Sequence, residues 1–251
     1  MPSITDALTV MRALSKLGVC SRTEAEAAVR AGRVAVNGQV MRDPSRRVRL
    51  DRDRLTIDGN PVTAAAAPCY LMLNKPRGLV STRRDERGRP TVYAALGEAA
   101  GTPGLSPVGR LDQASEGLLL FSNDHAWAAG VTEPGSGLEK RYHVQIDGLG
   151  DDVLLAALRA GRDCQGEWLQ VASASLLRQG DKNSWLELGL IEGRNRHLRR
   201  LLAACGFEVR RLVRVAIGPL PLGDLPKGAW RPLEPWEVNA LGRPSSPRPQ
   251  P

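Results

Sequence analysis

Five short apolar runs constrain this chain more than anything else in it: YLMLN (70–74), GLLLF (117–121), KRYHVQI (140–146), SWLELGLI (184–191) and RRLVRVAI (210–217). Each has the length of a strand, several alternate apolar with polar residues, and Gly, Pro or Asp clusters bound them. Only two later segments, near 152–160 and 195–205, carry helical spacing. Strands that follow one another without regular crossover helices imply an α+β fold, a mixed and mainly antiparallel sheet with flanking helices.

A different organisation precedes the first run. From Ala7 to Ala31 the apolar residues Leu8, Val10, Met11, Leu14, Leu17, Val19, Ala25, Ala28 and Val29 recur at helical spacing on either side of a break at Gly18-Val19-Cys20. Ser21 with Glu24 forms a capping-box signature for a second helix, which Ala31-Gly32 ends. Asn37-Gly38, flanked by alternating residues, marks a hairpin. The reading is a small N-terminal α+β domain over 1–63 and a main domain over 69–241. Between them the uncharged stretch NPVTAAAAP serves as a linker, with 64–68 as its minimal extent. The Pro- and Ser-rich residues 242–251 are expected to be a disordered tail.

Charge narrows the partner. The 251 residues hold 35 Lys+Arg against 27 Asp+Glu, a formal net charge of +8, and arginine dominates the positive side. That suits polyanions and bidentate phosphate recognition. The first fifth of the chain is the most lopsided: nine cations, including Arg12, Lys16, Arg22, Arg30 and Arg33, face four acids. The four cysteines form no C-x-x-C pair, and His125, His143 and His197 share no ligand spacing, so neither a disulfide framework nor a metal site is expected. MPSITDALTV lacks the basic start and long apolar stretch of a signal peptide, and no apolar run reaches membrane-spanning length. A cytoplasmic protein is the expectation.

Four stretches concentrate charge in ways that sheet building does not require. YLMLN ends in Lys75-Pro76-Arg77-Gly78, followed by Arg83, Arg84, Arg87 and Arg89, a cationic loop suited to an RNA backbone. In PVGRLDQASEGLLLFSND (107–124) one of the acids, Asp112, stands behind Arg110 and ahead of a buried-looking strand. Taken alone, such an Asp is most often a turn or cap residue; a chemical role requires a cationic partner from elsewhere in the chain. Tyr142, in EKRYHV beside Lys140, is by default a half-buried strand aromatic, with a ring able to stack on a base. If 195–204 is helical, Arg196, Arg199 and Arg200 share one side while Leu198, Leu201 and Leu202 face inward, and Arg199 becomes the candidate partner of Asp112.

These segments carry a resemblance. LGVCSRTEAEAAVRAGRVAVNGQV resembles the small alpha-L RNA-binding domain of a ribosomal small-subunit protein and several RNA-modifying enzymes. LNKPRG, GRLDQASEGLLLFSND, KRYHV and EGRNRHLRR, followed by RLVRVAIGPLPLGDLPKGAWRPL, resemble in order the ribosomal-RNA pseudouridine synthases that carry such a domain. The resemblance covers about residues 8–238. It implies that Asp112 is the catalytic aspartate, that Tyr142 packs against the target uracil and that Arg199 pairs with the aspartate. Arg12, Lys16, Arg22, Arg30, Arg33, Lys75, Arg77, Arg110, Lys140, Arg196 and Arg200 are the expected RNA-binding residues. Ser115 replaces the commoner Thr, and His197 stands where Gln is frequent.

The implied reaction breaks the N-glycosidic bond of a flipped uridine, rotates the uracil and rejoins it through carbon-5. No redox change or donor group is involved, so no cofactor is expected. A carboxylate near the sugar serves either as nucleophile at the anomeric carbon or as base on a neighbouring sugar proton. Two other readings compete: a noncatalytic RNA-binding or assembly factor, and a glycosidic-bond hydrolase. The hydrolase needs a second carboxylate, for which Glu116 and Asp124 are the nearest candidates. The expected partner is ribosomal RNA, with the chain acting as a monomer.

Overall fold

The computed structural model describes residues 7–17, 19–20, 22–62 and 67–242. They gather into two compact units. One holds the described residues up to Cys69 together with Glu98–Ser106 and Ser122–His125; the other holds Tyr70–Gly97, Pro107–Phe121 and the described residues from Ala126 onward. The tail 243–251, most of the minimal linker and the proposed cap Ser21 lie outside the described residues.

In the first unit, helices α1 (Val10–Lys16) and α2 (Arg22–Arg30) form where the helical spacing predicts them. Thr9 caps α1, its Oγ1 accepting from the Arg12 amide at 3.4 Å. The helices turn Val10, Ala13, Leu14, Ala25, Ala28 and Val29 onto a small core completed by Val34, Val36, Val48 and Leu55. Strands Val34–Val36 and Gln39–Met41 pair around Asn37 (φ 51°) and Gly38 (φ 83°), the left-handed pair a two-residue hairpin requires. One correction concerns the linker. Asn60–Pro61 pairs with Leu55–Ile57, and the Val62 amide donates to the Leu55 carbonyl at 2.8 Å, so the chain is still sheet-bonded there. The uncharged composition of that stretch conceals backbone hydrogen bonding, which needs no charge.

The second unit is built on one sheet. Its main path runs Ser173–Gln179, Asn183–Leu190, Lys140–Asp147, Val209–Ile217, Glu116–Ser122, Tyr70–Lys75 and Trp230–Pro232. Five of these are the predicted runs, four extended by a residue or two and one, Asn183–Leu190, shifted by one residue. Lys140–Asp147 alternates as a half-buried strand should, with Tyr142, Val144 and Ile146 inward. Glu116–Ser122 is buried along its whole length, which explains its unbroken apolar run. The edge strand Ser173–Gln179 escapes sequence reading because nearly all of it is exposed and its residues, SASLLRQ, do not alternate apolar with polar. Helices α3 (His125–Thr132) and α6 (Pro235–Gly242) were likewise not foreseen, whereas α4 (Asp152–Ala160) falls where expected and is capped by Asp151. Helix α5 spans His197–Ala204, two residues shorter at its start than the spacing suggests. Trp127 of α3 packs beside Leu241 of α6 and donates from Nε1 to the Val238 carbonyl at 3.0 Å. Among the described residues no helix is long and apolar enough to cross a membrane.

A parallel step in the sheet pairs Glu116 with Val213 and Gly117 with Arg214. Gly117 has φ 98°, and a Cβ there would stand 2.3 Å from the Arg214 carbonyl oxygen. Only glycine allows that approach in that conformation. Gly117→Ala is therefore expected to destabilise the protein by about 2 kcal/mol or more, measured as a lowered denaturant midpoint. A wild-type midpoint would contradict the seam described here.

Candidate active site

The stretch Gly109–Ser115 leaves Val108 and enters the buried strand through a turn in which the Ser115 amide donates to the Asp112 carbonyl at 2.9 Å. The loop after Lys75 holds it from one side. The Gly78 amide donates to Gln113 O at 2.8 Å, Gln113 Nε2 returns a bond to Gly78 O at 3.0 Å, and Ser81 Oγ donates to Leu111 O at 2.8 Å. Two cations hold the rest. Lys75 Nζ donates to Ser115 O at 2.7 Å, Pro76 O at 3.1 Å and Gln113 O at 3.5 Å, while Arg199 Nη2 donates to Ala114 O at 3.3 Å and Nη1 to Val209 O at 3.1 Å. The three carbonyls that follow Asp112 are thus all claimed by cationic side chains.

Asp112, half-buried, faces a cavity of about 510 Å³ that is also lined by Arg110, Ser115, Lys140, Tyr142 and Arg214. Its opposite wall is the segment Leu190–Leu198. Tyr142 is 8% exposed and lies across the strand pair from Arg214. Lys140 Nζ donates to Ile191 O at 3.3 Å; burial and the charge of Arg214 push its pKa down. The surroundings of Asp112 are consequently rich in positive charge, a setting in which a carboxylate can act on a polyanion without being expelled from it. Among the described residues no cluster of three His, Cys, Asp or Glu side chains is placed to hold a metal ion.

Several sequence-predicted residues stand elsewhere than expected. Lys75 is fully buried, so it holds backbone rather than RNA. Arg199 makes no ion pair with Asp112 among the described residues; the two interact through space, and the guanidinium is spent on carbonyls. Arg200 is paired with Glu167 and bonded to Cys164 O. Arg196 is not in the helix but precedes it with φ 49°. His197 is buried, donating from Nε2 to Gln170 O at 2.9 Å, which makes it a packing residue of the wall. In the first unit Arg30 pairs with Glu26 and Arg33 with Asp58, whereas Arg12, Lys16 and Arg22 are exposed without an ion pair among the described residues. Arg77 and Arg110 are exposed in the second unit.

Glu116 is no second acid facing a substrate. It is buried beneath Arg211, whose Nε and Nη2 donate to it at 3.2 Å each, and beneath Lys227. Sequence reading missed Arg214. It is 5% exposed, donates from Nε to Leu118 O at 2.7 Å and leaves Nη2 without a partner among the described residues. Strand alternation was the available signal, because Arg214 takes the inward position between Leu212 and Ala216.

Burial, and to a lesser degree Arg214, depress the Lys75 pKa to about 8 against the opposing pull of Glu116 and Asp112. Below pH 8 both folded and unfolded chains carry this proton; between about 8 and 10.5 the unfolded chain binds more of it, so this group makes stability rise with pH across that window. The whole effect is on the order of 3 kcal/mol. Unfolding titrations of wild type and Lys75→Met from pH 7.5 to 10.5 are expected to differ by this upward slope, present only in the wild type. Parallel curves would show that Lys75 is not buried as a titrating amine.

Comparison with known proteins agrees with this arrangement. The RNA pseudouridylate synthase family matches residues 69–204, and the S4 domain family matches residues 10–55. An uncharacterized RNA pseudouridine synthase of Rickettsia conorii is 34% identical over 220 residues, 88% of this chain and 94% of that protein. One from Aquifex aeolicus is 36% identical over 229 residues, 91% of each chain, and one from Mycobacterium leprae is 36% identical over 236 residues, 94% of this chain and 92% of that protein. A crystal structure described as a pseudouridylate synthase superposes with a TM-score of 0.66 at 30% identity, covering 93% of this chain and 99% of that one. A family match over more than half the chain, with relatives aligned along most of their length, places this protein among the RNA pseudouridine synthases, in a form that carries an S4 domain ahead of the catalytic fold.

Proposed function

We propose that this pseudouridine synthase isomerises a specific uridine of ribosomal RNA, with Asp112 as the reacting carboxylate, in the cytoplasm and as part of ribosome maturation. The observation that carries the reading is the convergence of Asp112, from a loop, and Tyr142, from a strand 30 residues later in sequence, on one basic cavity. A uridine entering it must first leave its stack, at a cost of roughly a few kcal/mol. Stacking on the Tyr142 ring offsets about 1–3 kcal/mol of that. Asp112 then meets the sugar, either attacking the anomeric carbon or removing the adjacent sugar proton, and in both routes the nearby cations stabilise the charge that develops. Arg199 and Lys75 serve this step by holding the carbonyls of residues 113–115, which fixes where the carboxylate points. Arg110 and Arg196 at the cavity, the exposed Arg77, and Arg12, Lys16 and Arg22 on the S4 domain are the residues left to meet phosphates, by contacts that track backbone and shape rather than base edges. The burial of Glu116 under two cations argues against a hydrolase with paired carboxylates.

Asp112→Asn is expected to abolish pseudouridine formation while RNA affinity stays near wild type; retained isomerisation would remove Asp112 from the chemistry. Comparison of pseudouridine maps from cells with and without the gene is expected to show a missing site in ribosomal RNA. Loss confined to transfer or messenger RNA would overturn the substrate assignment.

A further inference from the structure

The hairpin Arg162–Leu169 touches the wall of the cavity through its turn. Its strands Arg162–Asp163 and Trp168–Leu169 pair, and the central residues Gln165 (φ 63°) and Gly166 (φ 81°) are both left-handed, a tight and rigid connection. The Cys164 amide donates to Glu167 O at 2.9 Å, and the Gly166 amide to Asp163 Oδ1 at 3.1 Å. The turn therefore presents Glu167 in a fixed place. Its carboxylate accepts from Arg194 Nη1 at 2.8 Å and also from Arg200 Nη1, and these bonds, that of Arg200 foremost, hold its pKa below the usual range. Arg200 further donates to Cys164 O, and His197 to Gln170 O just beyond the hairpin. Arg194 and Arg200 are thus tied to the hairpin and His197 to the residue just beyond it, on both sides of Arg196.

Arg196 itself is left untied. It is exposed, has no ion pair among the described residues, lines the cavity that Asp112 faces, and sits in a left-handed conformation that a side-chain-bearing residue keeps only when its neighbours over-determine it. Four arginines fall within seven residues here, at 194, 196, 199 and 200, and they repel one another unless an acid intervenes. Glu167 neutralises two of them. We infer that Glu167 is a positioning residue of the RNA site: by bracing Arg194 and Arg200 it holds the Arg194–His197 turn, closed by the His197 amide on the Arg194 carbonyl at 3.2 Å, so that Arg196 is aimed at a phosphate of the substrate RNA. This rests on the reading of the cavity given above, and it assigns the hairpin a part in substrate affinity rather than in the chemical step.

The test uses the full chain and an RNA carrying the target uridine. Glu167→Gln is expected to raise KM about tenfold with kcat within about twofold of wild type, the signature of a lost ground-state contact. Arg196→Ala is expected to do the same, and the double variant to be no worse than Arg196→Ala alone, since both act through one contact. Glu167→Asp, which keeps the charge on a shorter arm, is expected to give an intermediate KM and stands in if the Gln variant is unstable. An unchanged KM in Glu167→Gln, or effects of the two substitutions that add in full, would overturn the inference. So would a fall in KM, which would mean that Glu167 competes with phosphate for the arginines. The same shift in RNA affinity is expected in an Asp112→Asn background, so the brace can be judged even if the assignment of Asp112 fails.

Discussion

The capture of three consecutive backbone carbonyls by a buried lysine and a half-buried arginine is the constraint on which the second unit depends. Gln113, Ala114 and Ser115 leave Asp112 at the mouth of a buried strand, where their carbonyls must find donors or cost the strand its stability. Lys75 and Arg199 supply those donors from opposite sides. A lysine amine with several donors and no acceptor meets carbonyls at different angles, and an arginine fork spans two chain segments at once. In exchange, two cations are taken out of water beside a carboxylate. The low pKa of Lys75 is a measure of how unfavourable that is, and Asp112 and Glu116 offset it in part. Fixing the loop and enriching the site in positive charge are therefore one arrangement.

The same economy governs the seam between Glu116–Ser122 and Val209–Ile217. Gly117 lets the two backbones meet, and the close approach delivers Arg214 to the cavity and its Nε to Leu118 O. On the outer side of the pair, Glu116 collects Arg211 and Lys227. A buried ion pair of this kind is weak evidence for net stability, but breaking it strands a charge. The strand that follows Asp112 is thus registered against its neighbour both by a glycine that nothing else can replace and by a carboxylate that nothing else can neutralise.

Much of this was legible beforehand, for physical reasons. Strand-length apolar runs and the Asn37-Gly38 hairpin depend on local periodicity and local φ, which sequence expresses directly. Motifs singled out Asp112 and Tyr142, which line one cavity, because a motif set records a constellation even when its members are far apart. Charge was the poor guide. Lys75 and Arg200 read as cations for RNA and Arg199 as the partner of Asp112, yet Lys75 is buried, Arg199 holds carbonyls and Arg200 holds Glu167. A sequence shows that a side chain is positive without showing whether its partner is a phosphate, a carboxylate or a peptide oxygen. The edge strand Ser173–Gln179 and the hairpin at 162–169 escaped for a related reason, since exposed strands need no apolar pattern.

By itself the sequence determined the α+β class, the helical and hairpin character of the N-terminal unit and the main strands of the sheet, and it marked the motifs that hold Asp112 and Tyr142, because each follows from spacing or a contiguous motif. Only the tertiary structure decided what the cations do. Their partners lie 10 to 85 residues away for Arg199 and about 40 for Lys75 at Ser115, and such pairings exist only once the sheet has brought the loops together. The inward turn of Arg214, the burial of Glu116 and the brace from Glu167 are of the same kind: long-range contacts in which geometry, not residue type, selects the partner.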